Sequence, residues 1–129
     1  MIDNIRALEE LEQKMSRTVT GSQVIEWEAG SGLKVTGQSL GNLTGEDAGV
    51  VRTSLPKGAV LPVHVHDDAV EIVICVTGEV ECFAGGMRRK TIKAGDCFKI
   101  PKGESHKFVA IEESSCIVVG VPNPKGFPR

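Results

Sequence analysis

The chain has 129 residues, of which 40% are hydrophobic and 25% charged. That is the balance of one soluble domain, and the length is too short for two comfortable ones. A formal net charge of −2 gives no field to draw the chain to nucleic acid, and 4% aromatic residues give no stacking platform for bases.

Residues 3–17 read as a helix. Asp3 caps it, and Ile5, Leu8, Leu11 and Met15 form a narrow apolar stripe opposite Glu9, Glu10, Glu12 and Lys14. The polar face is acidic, which argues against membrane attachment and for a flap on a core or a dimer contact. The same opening, "MIDNIRALEELEQKM", lacks the apolar centre of a secretion signal, and no apolar run in the chain is long enough to cross a bilayer. A cytoplasmic protein with no membrane partner is expected. The organisation expected is an N-terminal helical segment, 1–18, followed by a single β domain, 19–129.

From Val19 onward short β-type runs alternate with glycine-rich turns. The runs are "QVIEWE", "LKVTGQSL", "VVRTSL", "VLPVHVH", "VEIVICVT", "EVECFA", "MRRKTIK", "CFKIP", "SHKFVA" and "SCIVVGV". Many short strands with tight corners argue an all-β sandwich or barrel. The charged "RRK" at 88–90 suits a wet strand edge. The proline-rich tail "VPNPKGFPR" is expected on the surface or against a neighbour. Cys75, Cys82, Cys97 and Cys116 form no CxxC pair, so reduced thiols packed in strands are expected.

Strand parity points to a site. In "VLPVHVH", His64 and His66 share a face with Val60 and Pro62, and Leu61, Val63 and Val65 take the other. In "VEIVICVT", Glu71, Val73, Cys75 and Thr77 share one face and Ile72, Ile74 and Val76 the other. Both faces are apolar, so one should line a lumen and the other should be covered, by the N-terminal helix or by a second subunit. A homodimer is expected. Two imidazoles and a carboxylate converging inside a small barrel are costly unless a cation joins them. Imidazole suits zinc, copper, iron and nickel, and a carboxylate brings in manganese.

The stretch from Gly58 to Gly78 reads G-x5-H-x-H-x4-E-x6-G, and Gly95, Pro101, Gly103 and His106 follow as G-x5-P-x-G-x2-H. These two stretches resemble the paired signature motifs of the cupin superfamily. The last position of the second motif is Ala110 here instead of asparagine. The resemblance covers residues 58–110 and implies a double-stranded β-helix, or jelly-roll barrel. It implies one divalent transition metal held by His64, His66, Glu71 and His106, with iron, manganese, nickel, copper and zinc all open. In similar flavonol-cleaving relatives the motif glutamate serves as ligand and transient base, which makes Glu71 the candidate catalytic residue.

Four protein ligands leave one or two positions open on a five- or six-coordinate ion. The chain has no tyrosine, which excludes mechanisms needing a tyrosine base or a Cys–Tyr crosslink. Glu71 disfavours the thiol dioxygenases, which usually replace it. Candidate substrate-binding residues are Arg52, as an anion clamp if it points inward, Cys75, by its parity with Glu71, and Phe108, by its parity with His106. Asp67 and Asp68 are candidate acceptors for a histidine N–H. The expected function is a metal-dependent enzyme of dioxygenase or isomerase type acting on a small organic metabolite. The alternative is a metal-bearing binding or sensor protein without turnover.

Overall fold

The short β-type runs between glycine-rich turns form strands. The computed structural model describes residues 24–28, 32–40 and 48–128. The expected helix over 3–17 lies outside them. Ten strands follow in order: β1 (Val24–Glu28), β2 (Lys34–Ser39), β3 (Gly49–Leu55), β4 (Val60–His64), β5 (Val70–Thr77), β6 (Glu79–Ala84), β7 (Arg88–Lys93), β8 (Cys97–Ile100), β9 (His106–Ala110) and β10 (Ser114–Val121). They form two antiparallel sheets, one ordered β1-β2-β3-β10-β5-β8 and the other β4-β9-β6-β7. This is the jelly-roll expected from the sequence.

The core lies between the sheets. Val35, Leu55, Val73, Phe98, Ile100 and Val118 come from the larger sheet, and Val80, Ile92, Phe108 and Ala110 from the smaller. In β5 every second residue from Glu71 to Cys75 is buried, as the parity predicts. The opposite face of β5 and its neighbour is apolar and exposed: Val70 is 38%, Ile74 36%, Val76 43% and Val121 50% accessible. Among the described residues no helix is long and apolar enough to cross a membrane.

The corners between strands use the motif glycines. Gly58, Gly78, Gly95 and Gly103 all take positive φ, between 79° and 89°, where a side chain is strained. Gly78 has a second reason, because a Cβ there would collide with Ser114 and the Glu113 carbonyl.

The parity expected for β4 fails at one point. Leu61 pairs with Phe108 and His64 with His106, so β4 advances three residues while β9 advances two. This β-bulge resets the alternation. Leu61 and His64 therefore both face the interior cavity, while Pro62 is exposed at its rim and Val63 is exposed outside it.

The C-terminal residues do not trail over the surface. Gly49 and Gly120 are Cα partners on β3 and β10. A Cβ at Gly49 would run into Asn123 and come within 2.9 Å of Phe127, and one at Gly120 would run into Pro124. The two glycines form a cradle that seats residues 123–127 against one end of the barrel.

Candidate metal centre

His64 closes β4, His66 follows in the next turn, Glu71 is the second residue of β5 and His106 opens β9. The turn of the second motif is tied to the first by a hydrogen bond from the Gly103 N–H to the His66 carbonyl, 3.0 Å. That bond and the β4–β9 pairing bring the four side chains together. One ligand atom from each of His64, His66, Glu71 and His106 lies within 4.8 Å of the others. Ligand atoms about 2.1 Å from a single ion are at most about 4.2 Å apart, so a small contraction around one ion suffices.

The proton positions on the rings favour a cation. The Nδ1 of His106 is 2.9 Å from the Glu104 carbonyl, and that of His64 is 2.7 Å from the Pro62 carbonyl. A carbonyl accepts only, so Nδ1 carries the proton in each neutral ring and Nε2 keeps a lone pair. The His106 Nε2 lies 2.9 Å from Glu71 Oε2, and the His66 Nε2 lies 3.1 Å from Glu71 Oε1. Both Glu71 and His106 are only 2% exposed. The His106 Nε2 and the Glu71 Oε2 are buried and make no aligned hydrogen bond. Two lone pairs facing each other away from water need a proton or a cation between them. A divalent metal fits this donor set.

Electrostatics separate the rings. Burial pushes the His64 imidazole below its ordinary range, outweighing the lift from the Pro62 carbonyl. Burial also works to lower His106, but the Glu71 carboxylate and the Glu104 carbonyl outweigh it and hold it above its ordinary range. For His64 and His106 the acceptors are thus carbonyls. Asp68, a candidate for that task, instead accepts the Lys125 N–H at 3.0 Å.

A cavity of about 760 Å³ opens beside the cluster. His64, His66 and Glu71 line it, with Phe108 among its walls. The Phe108 ring centroid is 5.6 Å from that of His106. Arg52 is not in the cavity. It lies on the exposed face of β3 between inward-facing Val51 and Thr53, so an anion clamp at this position is ruled out. Cys75 points inward, as its parity predicts, but it is fully buried in the core and does not reach the cavity. Its thiol sits 3.4 Å from the Thr77 carbonyl, and burial raises it above the ordinary thiol range. Lys125, Gly126, Phe127 and Pro128 line the cavity, and the sequence marks them only as part of a proline-rich tail.

Comparison with known proteins agrees with this arrangement. The solved structures that resemble the chain include an RmlC-like cupin from Shewanella frigidimarina, 29% identical, covering 78% of this chain and 85% of that one, at a TM-score of 0.62. A predicted oxalate decarboxylase from Thermotoga maritima is 22% identical, covering 81% and 96%, at 0.66. Ectoine synthase from P. lautus is 19% identical, covering 84% and 75%, at 0.67. No curated protein matches in sequence. The Cupin domain family matches residues 51–122, more than half of the chain and the whole of the candidate metal centre, and the chain belongs to that family.

Proposed function

We propose that this cupin is a mononuclear metal-dependent enzyme, of oxygenase or isomerase type, acting on a small organic metabolite. The observation that carries the reading is the open side of the site. Three of the four ligands face a cavity large enough for a small molecule, whereas a structural metal is closed in by its ligands. A divalent ion held by His64, His66, Glu71 and His106 would supply Lewis acidity and, if redox-active, electron transfer. A predicted oxalate decarboxylase and ectoine synthase share this fold, and the fold does not choose a reaction.

The chain's own residues supply the rest. The Pro62 and Glu104 carbonyls fix two of the rings in the tautomer that ligates. Leu61 and Phe108 give the cavity apolar walls. Glu71 lies at the cavity with both oxygens close to ring nitrogens, so one oxygen can ligate while the other accepts a proton from substrate.

Cobalt-substituted protein tests the open site. Azide should shift its visible bands, and an unchanged spectrum would mean a closed, structural centre. A panel of small enolisable acids and ketones, followed by oxygen uptake and NMR, should reveal metal-dependent conversion of at least one. Binding without conversion of any would leave the sensor reading in its place.

We also infer a homodimer in a reducing, cytoplasmic setting. The exposed stripe of Val70, Ile74, Val76 and Val121 supports it, since contiguous apolar patches of this kind are rare on monomers. Sedimentation at micromolar concentration should give twice the chain mass. A monomer would show that the stripe is covered within the chain or left open.

A further inference from the structure

The walls of the cavity say which ligands the site favours. Val51 and Val118 come from the larger sheet, Leu61 and Phe108 from the smaller, and Phe127 and Pro128 from the C-terminal segment. All six are apolar. Thr53 also lines the space, but its hydroxyl donates to the Cys116 carbonyl at 3.4 Å. Away from the metal centre the charged groups at the cavity are, among the described residues, Asp67, Asp68 and Lys125. Two carboxylates against one ammonium leave the rim net negative. Arg52, which could have cancelled that charge, lies on the outer face. Among the described residues a phosphate or a second carboxylate would lose its water here and find, beyond the metal, only Lys125, which already faces two carboxylates. A hydrocarbon group would gain from the same walls.

Phe127, like Phe108, is a part of the wall that meets a ring of the metal centre. Its ring meets the His66 ring edge-on, with centroids 5.4 Å apart. The segment carrying it is fixed at several points. The Lys125 N–H donates to Asp68, the Phe127 N–H donates to the Pro124 carbonyl at 3.1 Å, and the glycines Gly49 and Gly120 leave room for both Pro124 and Phe127. The phenyl group therefore stands at a defined place, beside a ligand and facing the cavity.

Building on the metal-bearing site argued above, we propose that this cupin takes a monoanionic, oxygen-chelating ligand with an apolar body of aryl or branched-alkyl size, and that Phe127 is the specificity-determining wall against which the body rests. The chelating head, such as a β-dicarbonyl or a hydroxy-ketone, meets the metal. The body fills the space between Phe108, Leu61, Val118 and Phe127. Dianionic acids and sugar phosphates are disfavoured.

The test holds the chelating head constant and varies the body. Full-length cobalt-substituted protein is titrated with acetohydroxamate and benzohydroxamate, and the ligand-field bands are followed. Benzohydroxamate should bind at least ten-fold more tightly, and oxalate and glucose 6-phosphate no better than acetohydroxamate. Phe127→Ala should reduce the aryl preference, read as the ratio of the two hydroxamate affinities on cobalt-loaded protein, to less than three-fold. Phe127→Leu, which keeps apolar packing on the glycine cradle, should retain most of the preference and guards against a variant that merely loosens the segment. Equal hydroxamate affinities, tighter oxalate or sugar phosphate binding, or an aryl preference untouched in both variants would overturn the proposal. Wild-type protein that shows no ligand-field bands would overturn the metal reading and this proposal with it. Bands without an aryl preference would overturn this proposal alone.

Discussion

Replacing His106 with alanine should strip metal from the protein and leave the barrel folded. His106 opens β9, is 2% exposed and directs its Nε2 at Glu71 from 2.9 Å. Changing a group that only orients a ligand commonly weakens metal affinity by about 10–100-fold, so removing a ligand outright should exceed about 100-fold. The fold has other supports. The β9 strand remains paired on both sides, with β4 and β6, and Glu71 keeps His66 at 3.1 Å. The cost in stability of the metal-free protein should therefore stay near about 1–3 kcal/mol. Elemental analysis after dialysis checks the first part, and circular dichroism with urea unfolding checks the second. Arg52→Ala is the matched control, because Arg52 stands on the outer face of β3 and should change neither metal content nor ligand binding. Unchanged metal in the His106 variant would show that the ligand set is misassigned.

Much of this site is readable before folding, and the reason is chemical. Imidazoles two apart and a carboxylate five later are expensive in an apolar strand unless they share a task, and the glycines around them mark corners whose φ is positive. What the spacing alone does not give is His106. It reaches the site through the β4–β9 pairing and the hydrogen bond from Gly103 to His66, contacts between segments far apart in sequence that only the second motif anticipates. The bulge in β4 is hidden for a related reason. Period-two reading assumes an unbroken ladder, and one extra residue between Leu61 and His64 exchanges the faces. Arg52 illustrates an open register. Nothing in "VVRTS" says which side turns inward until β3 is paired with β10. The C-terminal wall is the least legible part. Gly49 and Gly120 look like ordinary strand interruptions, and only their pairing shows that they make room for Asn123, Pro124 and Phe127.

Removing the metal with a chelator should lower the melting temperature by roughly 10–20 °C, by an amount that depends on pH. An ion present at about 1,000 times its dissociation constant contributes about 4 kcal/mol, and each kcal/mol moves a domain of this size by about 3–5 °C. The metal-free protein has its own pH dependence, set by two histidines of opposite sign. His106 is held above its ordinary range, so its contribution is full below about pH 6.5 and is lost as pH rises through the folded value. His64 is held below its ordinary range, so its contribution is present above about pH 6.5 and is lost as pH falls through the folded value. From these two groups the metal-free form is most stable near about pH 6.5. The metal-bound form behaves differently, because binding displaces protons from the imidazoles and strengthens as they become neutral. The melting-temperature gain from metal should therefore grow between about pH 6 and pH 8. Thermal unfolding with and without chelator across that window reads the gain directly. A gain that does not change with pH would mean that imidazoles are not the groups holding the ion, whatever the metal content shows.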